Sequence, residues 1–190
     1  MWYKCVFIKK PDLPAGYVHV VVYARSSSCA TVTIECMQTV SRLYETFQPS
    51  HYNLTIDISK RIERIFSGEV VITGTSLIEN SITLHAKDIV ILDGYVGTDR
   101  LTIEHSGDEV TLTGNIKKGS VIELNLRFKG IITDGMHGLY PCYFEVEGEK
   151  KELLATQFES HHAREVFPCI DEPEAKAIFD LTLITEPDVT

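Results

Sequence analysis

The sequence predicts an all-β protein, an antiparallel β-sandwich with only short helical turns, and three observations carry that prediction. Apolar residues recur at every second position in a series of short runs, the period at which successive strand side chains face opposite sides of a sheet. Turn-forming residues separate the runs at intervals too short for the crossover helices that parallel strands need. Nowhere does an apolar period near 3.6 persist long enough for a helix of ordinary length. One-sided alternation belongs to sheets with one face in the core, and two such sheets bury those faces against each other.

Residues 1–41 stand apart from the rest of the chain. β-prone runs at 3–8, 17–24 and 30–37 are broken by Pro11-Asp12-Leu13-Pro14 and by Ser26-Ser27-Ser28, which interrupt backbone pairing or favour local turns. No functional motif occurs there, and the segment reads as a small β-element or an extension of unknown role. The main domain occupies 42–190. In 51–58, Tyr52, Leu54, Ile56 and Ile58 share one face. A β-branched strand at 65–75 carries Gly68 and Gly74. The run 81–92 sets Ile82, Leu84 and Ala86 on one face and changes register near Lys87-Asp88. His105-Ser106-Gly107-Asp108 reads as a hairpin turn between strands at 101–103 and 110–112. Alternation is cleanest at 121–130, with Ile122, Leu124, Leu126 and Phe128 opposite Glu123, Asn125, Arg127 and Lys129. A second hairpin turns at Gly148-Glu149-Lys150, between 143–146 and 153–156, and 178–184 is the last strand. The best helical candidate is 161–167, with Ser160 as N-cap and Pro168 as its stop, followed by a single helical turn at 174–177.

Composition excludes several classes of function. Apolar residues are 44% of the chain and charged residues 24%, enough for a core under an ordinary soluble surface. The net charge of −9 and the lack of a dense basic run argue against nucleic acid, whose binding needs Lys and Arg to displace counterions, and against an anionic membrane surface. No apolar segment approaches the roughly 20 residues of a membrane-spanning helix. The first residues reach Pro11 without the apolar core of a secretory signal. Five cysteines, Cys5, Cys29, Cys36, Cys142 and Cys169, show neither a disulfide framework nor a C-x-x-C metal pattern, so reduced thiols and a cytoplasmic location are expected.

Residues 155–183, ATQFESHHAREVFPCIDEPEAKAIFDLTL, are the one stretch that strand alternation does not explain. His161, His162 and Glu165 form H-H-x-x-E, but no histidine of the chain is followed by Glu, so the H-E-x-x-H helix of zinc peptidases is absent. The expectation is therefore that this chain holds no metal and that His161 and His162 lie on a polar surface. Cys169 has histidines nearby in sequence only, and a buried thiol is the simpler expectation. Asp171 and Glu172 precede Pro173 and read as a turn, with Arg164 as candidate ion-pair partner. Gln157 and Glu159 share a face if the strand alternates through them, a pair of acceptors suited to an ammonium group. Spacing alone equally allows a solvent-facing polar pair.

The same stretch resembles the signature near the end of the N-terminal domain of zinc aminopeptidases of the aminopeptidase N type, in the gluzincin family. The matches are Thr156, Gln157, Glu159, Ala163, Arg164, Phe167, Pro168, Cys169, Asp171, Glu172, Pro173, Lys176, Ala177 and Phe179. PSHYNLTIDI, FSGEVVITG, ITLHAKDIVI and Gly138-Leu139-Tyr140 upstream are also similar, so the resemblance covers about 42 to the C-terminus and leaves 1–41 outside. It implies a saddle-like β-sandwich, incomplete at its C-terminal end. It implies that Gln157 and Glu159 contact the free amine of a peptide substrate, while Arg164, Pro168, Cys169, Asp171, Glu172 and Pro173 shape the loop that carries them. The family's zinc, its H-E-x-x-H and its G-x-M-E-N loop belong to a catalytic domain that these residues do not include. The chain by itself is thus expected to bind no zinc and to lack peptidase activity. A non-enzymatic interaction module or a degraded gene product that kept the fold, and an epoxide-hydrolysing relative of the family, are the alternatives.

Overall fold

The computed structural model describes residues 42–186 and, within the first 41 residues, the strands at 5–8, 17–22 and 32–35. The chain divides into two compact units, Met1–Ser41 and Arg42–Thr190. In the first, β1 (Cys5–Ile8), β2 (Tyr17–Val22) and β3 (Val32–Glu35) form an antiparallel sheet in that order. Each lies inside one of the β-prone runs of the sequence.

The second unit contains β4 (Phe47–Asp57), β5 (Ile65–Ser76), β6 (Ser81–His85), β7 (Ile89–Val96), β8 (Asp99–Arg100), β9 (Thr102–Ser106), β10 (Glu109–Thr113), β11 (Val121–Ile131), β12 (Gly138–Val146), β13 (Glu149–Gln157) and β14 (Ile178–Ile184). A six-stranded sheet runs β14-β4-β5-β11-β7-β8, a three-stranded sheet runs β6-β10-β9, and β12 and β13 form a hairpin. The inner faces supply one core. Tyr52, Leu54 and Ile56 of β4, Phe66, Val70 and Ile72 of β5, and Leu124, Leu126 and Phe128 of β11 are buried with Ile82 and Leu84 of β6 and Val110 and Leu112 of β10. The alternation read at 121–130 is thus the β11 pleat. All-β architecture with short 3₁₀ turns is what the period-2 pattern predicted.

Glycines opposite phenylalanines set the spacing of the central strands. Gly68 pairs directly with Phe128, and Gly130 with Phe66. A Cβ on Gly68 would lie 2.4 Å from the Phe128 ring and 2.7 Å from the Thr55 carbonyl oxygen. The absent side chain is where the neighbouring ring rests, a form of cross-strand packing open only to glycine.

Four local features differ from the sequence expectation. The run 81–92 is two strands in two sheets, because the backbone turns at Asp88, whose φ is 57°. β14 pairs with β4 in parallel, Phe179 beside Tyr52 and Leu183 beside Ile56. Residues 158–177 are a connection long enough to carry the chain back to the same end of the sheet, which a parallel pair requires. The helix expected at 161–167 is one 3₁₀ turn, Ala163–Glu165, with His162 rather than Ser160 at its start and no side-chain cap. Ser160 Oγ is instead 2.7 Å from His161 Nδ1. The helical turn expected at 174–177 is a single turn closed by the Ala175 N–H donating to the Glu172 carbonyl at 3.0 Å. Propensity allowed a helix in both places, but the backbone closes only single turns there, as in the His162 N–H to Phe158 and Val166 N–H to Ala163 carbonyl bonds.

Candidate functional site

The site begins where β13 runs out. Gln157 is its last residue, Phe158 comes next, and Glu159 lies in a turn in which the His162 N–H donates to the Phe158 carbonyl at 2.9 Å. Strand alternation, on which the same-face reading of Gln157 and Glu159 depended, therefore stops between them. The Glu159–Ser160 peptide is cis. Both Gln157 and Glu159 are exposed, while the ring of Phe158 turns inward and meets Phe167 edge-on at 6.0 Å. Beneath Phe158 lies an apolar cleft of about 280 Å³, between the hairpin and β4–β14, with Leu54, Leu154, Phe167 and Leu181 among its walls. Phe158 thus pins a short segment from which two polar side chains project on either side.

The loop beyond Glu159 is tied down at almost every residue. The Arg164 N–H and Nε–H donate to Asp171 Oδ2 at 3.3 and 3.0 Å, and its Nη2 donates to the Asp171 carbonyl at 3.2 Å. This pair closes the loop on itself; Asp171, not Glu172, is the partner of Arg164. Inside it Pro168 and Cys169 are buried. Cys169 exchanges two backbone hydrogen bonds with His85 at 2.8 and 3.1 Å, so the loop adds a bridge to the end of β6. The Asp171 N–H donates to His85 Nδ1 at 3.0 Å and the Ile170 N–H to the Tyr52 hydroxyl at 3.2 Å. Glu172 accepts from the Leu43 N–H at 2.6 Å, anchoring the loop to the start of the domain. Pro173 is exposed in the turn beyond. Burial pushes the Cys169 thiol up, and the nearby Asp171 charge adds to this, so it is not a thiolate nucleophile. Burial also pushes the His85 imidazole down and the Tyr52 phenol up, which suits their hydrogen-bonding part in the core.

On the other side of the 3₁₀ turn sits a cluster that the sequence pattern did not reveal. The Glu165 carboxylate, its side chain only 8% exposed, lies 2.5 Å from His137 Nδ1, 3.1 Å from His162 Nδ1 and 3.1 Å from Lys87 Nζ. Burial alone would raise its pKa, but hydrogen bonds from His137, His162 and Lys87 outweigh this and hold it at about 2. The rings of His137, His162 and His161 stack in series, 4.4 and 4.7 Å between centroids. His162 is therefore part of a packed ionic cluster rather than a plain polar surface, whereas His161 is exposed. His137 comes from the loop between β11 and β12, and nothing local to it announces the contact.

The family model for the peptidase M1 N-terminal domain matches residues 48–190. Aminopeptidase N of Lactococcus lactis subsp. lactis is 46% identical over 145 residues, covering 76% of this chain and 17% of its own length. Aminopeptidase N of Lactobacillus delbrueckii subsp. lactis is 42% identical over 153 residues, with the same shares of 76% and 17%. The mitochondrial aminopeptidase 2 of Saccharomyces cerevisiae is 34% identical over 156 residues, covering 75% of this chain and 16% of its own length. The chain thus spans about 17% of the length of the bacterial relatives it matches. On this match and the β-rich fold that accompanies it, the chain belongs to the peptidase M1 family, and its residues 48–190 are the family's N-terminal domain.

Proposed function

We propose that this chain is the substrate-amine-recognition domain of a zinc-dependent aminopeptidase, one that releases N-terminal residues from peptides. The observation that carries the reading is the placement of Gln157 and Glu159. They project from a segment pinned by Phe158, at the positions the family signature matches, and both are open to an incoming molecule. A carboxylate and an amide oxygen accept hydrogen bonds from an α-ammonium. Such charge-assisted bonds contribute about 1.5–3 kcal/mol each. Binding the amine sets the distance from the peptide terminus to the scissile bond, which restricts cleavage to the first residue.

In such an enzyme a zinc ion lowers the pKa of a bound water and polarises the scissile carbonyl. The catalytic H-E-x-x-H arrangement is not built beside Gln157 and Glu159: the Ala163–Glu165 turn is too short to present two imidazoles one helical turn apart. This chain's part is to bind and orient the peptide terminus, and the hydrolytic step belongs to residues beyond it. A cytoplasmic setting agrees with the free thiols of Cys142 and Cys169. No helix among the described residues is long and apolar enough to cross a membrane.

Two measurements test the reading. The 190-residue chain supplied with zinc and an aminoacyl-anilide should give no turnover above buffer, and clear turnover would refute the division of labour. In a full-length enzyme carrying this domain, Glu159→Ala should raise KM for free-amine substrates by about 10- to 100-fold, the loss of one charge-assisted contact. An unchanged KM and kcat would remove Glu159 from the site.

A further inference from the structure

We infer that His137, His162 and Glu165 form a binding site for a divalent transition-metal ion of the zinc, cobalt or nickel class. One ligand atom from each of the three lies within 4.8 Å of the others. Both histidines direct Nδ1 at the carboxylate, His137 at Oε2 and His162 at Oε1. The donors come from two segments, His137 from the loop before β12 and His162 with Glu165 from the turn after β13. An ion there would staple the two together.

The donor chemistry selects the ion. Two imidazole nitrogens and one carboxylate oxygen suit zinc, cobalt and nickel, whereas calcium and magnesium take sets made mainly of oxygen. A tetrahedral ion bonded at about 2.0–2.1 Å holds its ligands roughly 3.3 Å apart. The 3.1 Å separation at His162 is already close to that, and the 2.5 Å separation at His137 must open. The His137 side chain, 41% exposed, has room to make the move. On binding, each ring carries its proton on Nε2 and exchanges a hydrogen bond to Glu165 for a bond to the metal, and a water fills the fourth position.

Lys87 is the opposing element. Its ammonium holds Oε1 at 3.1 Å, so it competes with the ion for that oxygen and sets a like charge beside it. The site is therefore tuned down, not built for the tightest binding. None of its ligands is Gln157 or Glu159, so the two sites share no side chain.

The test uses the full chain, purified without a polyhistidine tag, titrated with Zn²⁺ by calorimetry and with Co²⁺ by visible absorption. The expected result is one ion per chain and a tetrahedral cobalt spectrum. His137→Gln and His162→Gln should each weaken binding by more than about tenfold. Lys87→Met should tighten it by about tenfold. His105→Gln, at an exposed position on β9, should leave it unchanged. Far-UV circular dichroism confirms which variants are folded, and the wild-type cobalt spectrum tests the site even where a variant is not. Absence of stoichiometric binding by the folded wild type, or equal binding by both folded histidine variants, would overturn the assignment.

Discussion

Arg164 and Arg127 each pair with an aspartate, and their settings decide what the pairs contribute. Arg164 and Asp171 have side chains 14% and 12% exposed, linked by hydrogen bonds that close the loop. Removing the guanidinium leaves a mostly buried carboxylate without its partner, so Arg164→Ala should destabilise the domain by about 2–4 kcal/mol, read from urea denaturation. Arg127 also forks onto Asp93, with Nε at 3.0 Å, but its own side chain is 58% exposed. Arg127→Ala leaves the equally buried Asp93 carboxylate, 10% exposed, unpartnered, but breaks no loop closure of the kind Arg164 makes at the Asp171 carbonyl, so it should cost less than Arg164→Ala, and the reverse order would contradict this account of the loop. Gly68 is a steric case. A methyl there would strike both the Phe128 ring and the Thr55 backbone, and backbone cannot swing aside. Gly68→Ala should lower stability by about 1–3 kcal/mol in the same experiment. A neutral result would mean that β4 and β5 separate more easily than their pairing suggests. The loop residues were nameable from the sequence because their types are unusual together. What each touches was not: that Asp171 answers Arg164 while Glu172 caps Leu43 depends on the path of the backbone between them.

β14 shows where periodicity stops being informative. The apolar run at 178–184 identified the strand and its bounds, yet the partner is set by the route of residues 158–177, and a period of two contains no information about direction. The same limit explains the split of 81–92, where both halves alternate correctly but belong to different sheets. Register with β4 puts Phe179, Leu181 and Leu183 on the core-facing side, continuing the row of Tyr52, Leu54 and Ile56. Phe179 stacks on Tyr52 at 4.7 Å, but all seven residues of β14 are exposed, because the smaller sheet and the hairpin do not cover them. An apolar strand at the edge of a sheet, with free backbone groups along one side, is a template for association. The 190-residue chain should self-associate with rising concentration in sedimentation velocity, and Leu181→Lys with Leu183→Lys should suppress it. A chain that stays monomeric at high concentration would show that this edge is not adhesive.

Across the molecule, the all-β class and most strand positions in the 42–190 unit were legible because burial on one face imposes an alternation that the sequence must carry. The candidate site was legible in part. Gln157 and Glu159 stood out by residue type and by resemblance, but the end of β13 at Gln157 and the turn holding Glu159 were not foreseeable from spacing. The His137–His162–Glu165 cluster was hidden because its members meet across segments whose proximity only the fold creates. Residue, strand and domain meet in the proposal that the domain contributes recognition of a peptide's free amine, through Gln157 and Glu159. The most direct measurement compares kcat/KM for an aminoacyl-anilide and for its analogue lacking the amino group, in a full-length enzyme carrying this domain. Glu159→Ala is expected to lower kcat/KM for the free-amine substrate by about 10- to 100-fold and to leave the analogue nearly unchanged. An equal fall for both, or no fall for either, would contradict the claim.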